Sequence, residues 1–262
     1  MIEITRLEAI CRQAGALALT QWPGGGHALA HWDKTPGNPV CEADLAVDAF
    51  LKRELGALLP EAGWLSEETA DDPARLDRDR VWLVDPIDGT RDFIRGRAGW
   101  AVSVALIERG QPVAGVLFAP ARGELWSAVA GGGATLGGVP LATSTRAQLK
   151  GARVPADTLP REDSDLVAVA KPNSIALRMA MVAAGQADLL ATLRWGYEWD
   201  VAASALIAQE AGAVVSDAFG EGLAFNKRDP RAFGVLASAP AIHEAAVQRL
   251  ASRAARIAPE GR

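Results

Sequence analysis

The segment from Trp82 to Thr90 carries the residue types with the clearest capacity for chemistry. An apolar run that predicts a strand ends there in two carboxylates, Asp85 and Asp88, followed directly by a glycine and a threonine. Acidic residues also cluster at two other places in the chain, Glu67-Glu68 and Asp200. Because buried carboxylates are costly unless they are paired or coordinate a cation, these residues are candidate metal ligands. A site made of oxygen atoms suits Mg²⁺.

Three other interpretations of the same segment are weaker. A zinc site is disfavoured because the histidines and cysteines show no ligand-like spacing; they are His27, His31, His243, Cys11 and Cys41. Haloacid dehalogenase phosphatases carry an Asp-x-Asp-Gly-Thr pattern whose first aspartate is a nucleophile, but here two residues rather than one separate Asp85 from Asp88. The remaining alternative is a turn at the end of a strand with solvated acidic side chains.

Composition and charge limit the functional classes that are open to the chain. With 262 residues, 49% of them hydrophobic and 23% charged, it predicts a globular protein of one large or two closely packed lobes. The net charge of -5 argues against a general nucleic-acid binder, so an anionic substrate would have to be met by bound cations.

Apolar runs and cysteine spacing indicate where in the cell the protein is expected. No apolar run approaches the roughly 20 residues that span a bilayer, and the first residues predict an amphipathic helix rather than a signal peptide. The two cysteines lie far apart in sequence and give no sign of a disulfide framework. We therefore expect no transmembrane segment and a cytoplasmic location.

The periodicity of the first half predicts helices followed by an antiparallel sheet. Apolar residues at helical spacing predict a helix over residues 2–20, ended by Pro23 and the glycines after it, and a second over 43–59 with Asp44 in its first turn. Strands are then predicted over 81–84, 101–107, 112–118 and 124–128, with a hairpin turn at 108–111. Gly131 to Gly133 predict a turn rather than a phosphate cradle, because no P-loop lysine and serine follow.

The second half alternates strands with helices, which is typical of an α/β arrangement. Strands are predicted over 166–170, 188–191 and 233–237, and helices over 174–184, 199–211 and 241–256. The polar, proline-containing stretch 143–165 is the predicted boundary between two lobes, residues 1–142 and residues 143–262.

Three motifs in series carry a resemblance to a known family. Ser66-Glu67-Glu68, Asp85-Pro86-Ile87-Asp88-Gly89-Thr90 and Trp199-Asp200-Val201-Ala202-Ala203 resemble, in order and spacing, motifs of the inositol monophosphatase superfamily of Mg²⁺-dependent, lithium-sensitive phosphomonoesterases. The resemblance implies a layered αβαβα sandwich of mixed α+β and α/β type, with an antiparallel sheet in the N-terminal lobe and a mixed sheet in the C-terminal lobe. It also implies a site between the lobes for a small phosphorylated metabolite, and a homodimer is common in the family.

The resemblance assigns metal-binding roles. Glu67, Asp85 and the backbone carbonyl of Ile87 would bind a first Mg²⁺, while Asp85, Asp88 and Asp200 would bind a second. A weaker third ion beside Glu67 is often seen in the family. The ions would neutralise charge on the phosphate and lower the pKa of a bound water.

The resemblance also assigns catalytic and substrate-binding roles. Glu68, and Thr90 relayed to Asp44, would orient and deprotonate the bound water. Asp200 and the backbone amides of Gly89 and Thr90 would contact the substrate phosphate. Two alternatives stay open at this stage, since Asp44 could be a helix N-cap and Glu68 a solvated neighbour of the preceding glutamate.

One departure from the family pattern lies close to Asp44. Cys41 stands where the family usually has threonine, and Lys34 matches a common basic position. A free cysteine packs as a small apolar group, so we expect this one to be tolerated. Its effect on the local hydrogen bonds is the open question.

Flanking residues favour one branch of the family. Arg91-Asp92-Phe93-Ile94 resembles the 3'(2'),5'-bisphosphate nucleotidase branch of sulfur assimilation, whereas inositol phosphatases usually have threonine-asparagine there. The inositol branch also places a sugar-binding glutamate a few residues before Asp200, where this chain has Thr192-Leu193-Arg194. We therefore expect hydrolysis of adenosine 3',5'-bisphosphate to AMP and phosphate. An inositol or other sugar phosphate is the alternative substrate, and a non-catalytic metal- or phosphate-binding protein is the second alternative.

A bisphosphate nucleotide needs a cationic contact for its second phosphate and a surface for its base. Arg178 aligns with a basic residue that could supply the contact, and Arg194 and Lys227 are further candidates. Trp195 or Tyr197 could stack on adenine, although aromatic residues beside an active-site helix more often pack against the core or an interface.

Overall fold

The computed structural model describes residues 2–24, 26, 29–35 and 38–258, so His27 lies outside the described residues. The α-helices are α1 (Ile4–Leu19), α2 (Glu42–Leu58), α3 (Thr90–Ile94), α4 (Ile175–Ala183), α5 (Glu198–Glu210) and α6 (His243–Ile257). The strands of the first half are β1 (Trp32–Thr35), β2 (Asn38–Val40), β3 (Gly63–Ser66), β4 (Arg80–Asp88), β5 (Ala101–Glu108), β6 (Gln111–Ala119), β7 (Glu124–Val129), β8 (Ala134–Leu136) and β9 (Val139–Pro140). Those of the second half are β10 (Arg153–Pro155), β11 (Val167–Val169), β12 (Leu189–Tyr197), β13 (Val214–Ser216) and β14 (Arg231–Ser238).

A seven-stranded sheet in the order β3 to β9 forms the centre of the first half. The antiparallel arrangement predicted from sequence is found from β4 onwards, but β3 pairs with β4 in parallel, with Ser66 opposite Val84. Parallel neighbours need a crossover, which the segment between β3 and β4 provides with a short 3-10 helix at Pro73–Asp77. Because β3 and β4 run in the same direction and Ser66 lies opposite Val84, Glu67, the first residue after β3, comes next to Asp85 on β4.

Helices cover both faces of this sheet. Successive residues of a strand point to opposite faces, and β4 is buried on both: Trp82 belongs to the cluster that contains Leu51 of α2, whereas Leu83 belongs to the cluster that contains Ala203 of α5. The face covered by α1 and α2 is therefore separated by the sheet from the face covered by α4 and α5.

A second sheet and a last helix complete the sandwich. Strands β12, β14 and β13 form an antiparallel sheet in that order. Leu190 on β12 packs in the cluster of α4 and α5, while the adjacent Leu189 packs with Leu250 of α6. The parallel pair β10 and β11 adjoins β12, since the backbone N–H of Asp188 donates to the carbonyl of Arg153 at 2.8 Å. The order of layers is thus α, β, α, β, α, and the prediction of an αβαβα sandwich with a mixed C-terminal sheet is confirmed.

The structure adds elements that the sequence pattern did not predict, namely the short helix α3 and the strands β1, β2, β3, β8, β9, β10 and β13, and it extends β12. The strand predicted to end at Ala191 continues to Tyr197, because the register of β12 on β14 shifts between Thr192 and Trp195 and the strand resumes beyond the irregularity. The polar residues at the shift interrupted the apolar pattern. The division into lobes at residues 142 and 143 stays a prediction. None of the helices in the described part of the chain combines the length and apolar character that crossing a bilayer requires.

The predicted turn at Gly131–Gly133 is present and has a specific contact. The backbone N–H groups of Gly131 and Gly133 each donate to a carboxylate oxygen of Glu210 at 2.8 Å. Glu210 is the last residue of α5, where the helix dipole disfavours a negative charge. The two N–H groups offset the unfavourable interaction of the carboxylate with the helix dipole, and they connect the end of α5 to the turn between β7 and β8.

Close approach of α5 to β6 gives a testable consequence. A Cβ atom added at Gly115 would lie 3.0 Å from the carbonyl oxygen of Ala203 and 3.1 Å from its Cα. We expect Gly115→Val to push α5 off the sheet and to lower the free energy of unfolding by about 1–3 kcal/mol, measured by urea denaturation.

Gly56 is the matched control for that experiment. It lies inside α2 with no atom within 4 Å of an added Cβ, so Gly56→Ala is expected to stabilise the protein by about 0.5–1 kcal/mol. Equal stabilities for Gly115→Val and the wild type would contradict the close contact between α5 and the sheet.

Candidate metal centre

Three carboxylates from distant parts of the chain converge at the edge of the central sheet. One oxygen atom each of Glu67, Asp85 and Asp200 lies within 4.8 Å of the others. Glu67 follows β3, Asp85 lies on β4, and Asp200 is in the first turn of α5. The Oδ2 atom of Asp200 accepts the backbone N–H of Tyr197 at 2.9 Å, which completes a capping box and fixes the orientation of the carboxylate.

Asp88 lies beside this group, but its carboxylate faces α4. Its Oδ2 accepts the backbone N–H of Ala176 at 2.7 Å and the hydroxyl of Ser174, and its Oδ1 accepts the N–H of Ile175 at 3.3 Å. A carboxylate is favoured at a helix N-terminus by the free N–H groups and the helix dipole. Asp88 also lines a cavity of about 210 Å³ together with Asp85 and Asp200. The structure places Asp88 at the site without bringing it into the three-carboxylate group, and its role as a metal ligand stays a prediction.

Burial and crowding raise the pKa values of these acids. Burial, followed by the charge of Glu67, holds the pKa of Asp85 well above its usual range. Burial, followed by the charge of Asp88, raises the pKa of Asp200 to about 8, and burial raises that of Asp88 to about 6. A divalent cation among such groups offsets both the desolvation and the repulsion. The donors are carboxylate oxygens, which fits a hard cation such as Mg²⁺.

Thr90 connects the end of β4 to α2. Its hydroxyl lies 3.2 Å from Oδ1 of Asp44 and 3.0 Å from the carbonyl oxygen of Ile87. The predicted pairing of Thr90 with Asp44 is therefore present in the structure. The carbonyl of Ile87 is at the same point, next to the carboxylate of Asp85, whose Oδ1 accepts the N–H of Ile87 at 3.0 Å.

Asp44 serves its own helix as well as Thr90. It occupies the third position of α2, and its Oδ2 accepts the backbone N–H of Cys41 at 2.8 Å and the thiol of Cys41 at 2.9 Å. The N-cap residue is Cys41, so Asp44 completes a capping box rather than acting as the cap itself. Burial, with the nearby charge of Asp44, raises the pKa of Cys41 to about 12, so Cys41 remains a thiol that can donate this bond.

Glu68 is buried and paired rather than solvated. The ammonium group of Lys34 on β1 donates to an oxygen of Glu67 at 2.8 Å and to one of Glu68 at 2.7 Å. The Glu68 side chain is 3% exposed. Burial raises the pKa of Glu68 to about 7 against the opposing effect of Lys34. A carboxyl group with such a pKa can exchange a proton near neutral pH.

Gly89 makes the sharp turn from β4 into α3. Its φ of 97° lies in the left-handed region, and an added Cβ atom would come within 2.7 Å of the carbonyl oxygen of Gly99 and 2.9 Å of the backbone nitrogen of Ser174. Gly89 and Thr90 line the same 210 Å³ cavity as the carboxylates. Binding of a phosphate by their amides stays a prediction.

Arg178 reaches the cavity but is already engaged by the backbone. Its Nε donates to the carbonyl of Pro172 at 2.8 Å and its Nη2 to that of Asn173 at 2.5 Å. Lys227 is engaged in the same way, since its ammonium group donates to the carbonyl of Arg231 at 2.6 Å. Of the three basic candidates for a second phosphate, Arg194 is the one that lines the carboxylate cavity and also its neighbour.

That neighbouring cavity has a volume of about 330 Å³ and an aromatic wall. Trp195 is 46% exposed and Tyr197 is 41% exposed. Tyr197 stacks on Trp199 with ring centroids 4.5 Å apart, and the guanidinium of Arg231 lies 5.2 Å from the ring centre of Trp195. The cavity shares Glu67 and Asp200 with the carboxylate site, so a molecule bound at one would extend into the other.

Sequence reasoning missed three features of the site. It did not predict that Lys34 would bond both glutamates, that Ser174 would donate to Asp88, or that an irregularity in β12 would aim Arg194 at both cavities. A serine just before a predicted helix does indicate an N-cap, and Ser174 accepts the N–H of Leu177 at 2.9 Å. Nothing local in sequence indicates its second partner. Of the two histidines that the structure describes, His31 contacts the carbonyl of Leu29 and His243 bonds two serine hydroxyls, and neither lines the two cavities.

Comparison with known proteins identifies the family of the chain. The model of the inositol monophosphatase family matches residues 3–255. The chain belongs to this family. Its members are metal-dependent phosphatases, and the chain is a phosphatase of the same kind, with an acidic cluster able to bind a metal ion.

Similar proteins within the family differ in their named substrates. The chain is 33% identical over 247 residues to the 3'(2'),5'-bisphosphate nucleotidase CysQ of Salmonella typhimurium, covering 85% of this chain and 95% of the relative. It is also 33% identical over 199 residues to inositol monophosphatase 2 of Solanum lycopersicum, covering 69% and 75%. Among solved structures, an IMPase of Thermotoga maritima superposes with a TM-score of 0.82 at 27% identity, covering 96% of this chain and 97% of the other. Relatives of equal identity are therefore named for different substrates.

The raised pKa values predict how the stability of the metal-free protein changes with pH. In the folded protein, Asp88 stays protonated up to a pH of about 6 and Asp200 up to a pH of about 8. In the unfolded chain, the same carboxyl groups lose their protons near their usual pKa of 3.8. The folded state therefore binds more protons, so in EDTA the melting temperature should fall as pH rises from 5 to 8. Ion-paired carboxylates such as Asp188, whose pKa is lowered to about 2, are ionised throughout the range from pH 5 to 8 and do not contribute to this change.

Added Mg²⁺ and a single variant check the cause of that pH dependence. At a Mg²⁺ concentration of about 100 times its Kd, the folded state gains about 2.7 kcal/mol, so the fall in melting temperature should be offset at pH 8. Asp200→Asn should flatten the pH profile in EDTA. A melting temperature that rises between pH 5 and 8 in EDTA would contradict the assignment.

Proposed function

We propose that this phosphatase is a Mg²⁺-dependent 3'(2'),5'-bisphosphate nucleotidase that converts adenosine 3',5'-bisphosphate to AMP and phosphate. The observation that carries the proposal is the aromatic cavity next to the carboxylate cluster, with Arg194 lining both. Such a site can hold a phosphate at the carboxylates through bound cations, a second phosphate at Arg194 and a base against the aromatic rings.

The residues proposed to hold Mg²⁺ are those that the sequence motifs assigned. Glu67, Asp85 and the Ile87 carbonyl would hold one ion, and Asp85, Asp88 and Asp200 another. When bound, the ions neutralise charge on the phosphoryl oxygens and lower the pKa of a bound water. Their ligands come from strands and helix ends of a rigid scaffold, which suits precise placement.

Other residues of the chain would handle the attacking water. If the Thr90 hydroxyl donates its proton to Asp44, its lone pairs are free to accept a hydrogen bond from water. Glu68, with a pKa of about 7, is suited to take the proton that the water loses. The amides of Gly89 and Thr90 would add donors for the phosphate at the turn into α3.

The lining of the aromatic cavity favours a nucleotide substrate over an inositol or sugar phosphate. Trp195 and Tyr197 are both exposed residues in the lining of this cavity, and base–aromatic stacking contributes about 1–3 kcal/mol per base. Leu193 and Arg194 occupy the stretch where the inositol branch has its sugar-binding glutamate. The relative named a bisphosphate nucleotidase is also covered over more of its length than the relative named an inositol monophosphatase.

An inositol or other sugar phosphate remains the alternative substrate, because relatives named for inositol phosphate hydrolysis are about as similar in sequence. A cytoplasmic location is also proposed, in line with the buried free thiols of Cys11 and Cys41. A homodimer stays a prediction from the family resemblance.

A substrate panel tests the proposal directly. Phosphate release with Mg²⁺ would be measured on adenosine 3',5'-bisphosphate, inositol-1-phosphate, fructose-1,6-bisphosphate and histidinol phosphate. We expect the highest kcat/KM for the bisphosphate nucleotide, and inhibition by lithium. Arg194→Ala should then raise KM for that substrate by about 10-fold or more, as loss of a charge-assisted contact does, with little effect on inositol-1-phosphate.

Arg249→Ala serves as the control for that variant, because Arg249 pairs with Asp165 at 2.7 Å on the α6 side of the second sheet. A preference for inositol-1-phosphate, or an equal effect of Arg194→Ala on both substrates, would overturn the nucleotidase assignment. Failure to release phosphate from adenosine 3',5'-bisphosphate would overturn it as well.

Substitution of the carboxylates tests the metal centre. Since loss of residues that merely orient ligands already costs about 10–100-fold, we expect Asp85→Asn and Asp200→Asn each to lower kcat/KM by at least about 100-fold. Both replacements remove charge from a crowded site, so the fold should be kept, as checked by circular dichroism. Wild-type rates in either variant would refute the assignment.

A further inference from the structure

A second buried carboxylate lies on α2, one helical turn beyond Asp44. Asp48 is 7% exposed, and both of its oxygens are used. Oδ1 accepts the hydroxyl of Ser66, and Oδ2 accepts the hydroxyl of Thr69 at 2.6 Å. Burying a carboxylate is costly unless it is hydrogen-bonded, and the two hydroxyl donors provide those hydrogen bonds.

The two hydroxyl donors stand on either side of Glu67 and Glu68. Ser66 ends β3, and its Oγ also accepts the backbone N–H of Glu68 at 3.4 Å. The backbone N–H of Glu67 donates to the carbonyl of Val84 at 3.2 Å, one residue beyond the last β3–β4 pair. Beyond that point the chain has left the sheet, and Asp48 is the group that bonds to both ends of the Glu67-Glu68 segment.

Placement of this segment matters because Glu67 must meet Asp85 and Asp200 from outside the sheet. One oxygen of each lies within 4.8 Å of the others. Side chains that bind a metal ion have to be held to within about 0.5 Å of the productive geometry. Because a glutamate side chain has three rotatable bonds, its carboxylate can be placed accurately only if its backbone is held in position.

We propose that Asp48 is a positioning residue for the metal centre: by bonding Ser66 and Thr69, it fixes the backbone from which Glu67 and Glu68 reach the site. The inference rests on the proposed metal-dependent function, but it concerns the binding of Mg²⁺ and not the choice of substrate. With Asp44 bonded to Thr90, α2 then supports both loops that carry the proposed water-handling groups, Glu68 and Thr90.

The test is Mg²⁺ binding by the metal-free protein, measured by isothermal titration calorimetry. We expect Asp48→Ala to weaken Mg²⁺ binding by about 10–100-fold, as loss of ligand-orienting groups does. Leu51→Ala is the matched control, because Leu51 is fully buried on the same helix in the apolar cluster that contains Trp82, and its side chain cannot accept a hydrogen bond from Ser66 or Thr69. It should lower the melting temperature and leave the affinity for Mg²⁺ unchanged.

Milder variants separate positioning from folding. Thr69→Val keeps the shape of the side chain and removes one hydroxyl, and Asp48→Asn keeps the size of the acceptor. Each should weaken Mg²⁺ binding less than Asp48→Ala. The losses in Asp48→Asn and Ser66→Ala should not add in the double variant, since both act through one contact. In kinetic assays the effect should appear in the Mg²⁺ concentration for half-activation more than in kcat at saturating Mg²⁺.

The outcomes are distinct. Equal Mg²⁺ affinity in Asp48→Ala and Leu51→Ala would overturn the inference, and if Asp48→Ala does not fold, wild-type affinity in both Asp48→Asn and Thr69→Val would do so. No Mg²⁺ binding by the wild-type protein would overturn this inference and the proposed metal centre together. Wild-type Mg²⁺ binding without phosphate release would refute the proposed function, while the weaker binding of Asp48→Ala would still support the role of Asp48.

Discussion

The cost of holding like-charged carboxylates together away from water governs this structure. Glu67, Asp85 and Asp200 bring oxygen atoms within 4.8 Å of one another, and the pKa values of Asp85 and Asp200 are raised, first by burial and then by their neighbours. Such a group is unfavourable in the isolated chain and favourable around a divalent cation. The scaffold must therefore impose the proximity, and it does so with a parallel strand pair at one side and a buried helix at the other.

Helix N-termini provide the second part of that scaffold. Asp44 in α2 and Asp200 in α5 each use one oxygen to complete a capping box with the residue three positions earlier. The other oxygen of Asp44 faces Thr90, and Asp200 still contributes an oxygen to the carboxylate cluster. Asp88 meets the N-terminus of α4 instead. Free N–H groups and the helix dipole thus stabilise negative charge at three separate places around one site.

The substrate side of the site has a different physical basis. Arg178 and Lys227 each donate to backbone carbonyls, which uses some of their N–H donors and leaves others for a second phosphate. Arg194 lies where the register of β12 shifts, between the carboxylate cavity and the aromatic one. Differences among family members in this stretch would change the substrate without disturbing the carboxylates, which agrees with relatives of similar identity being named for different substrates.

The sequence by itself determined most of the helices, the longer strands and the chemical identity of the site, because these are encoded locally. Helical periodicity located α1, α2, α4, α5 and α6, and the acidic motifs at Glu67, Asp85 and Asp200 identified the groups that converge. The parallel pairing of β3 with β4 and the use of Asp48 by Ser66 and Thr69 came only from the tertiary structure. So did the orientation of Asp88 towards α4 and the engagement of Arg178 by carbonyls. These contacts join segments far apart in the chain, and packing of the layers decides which of several polar partners each side chain meets.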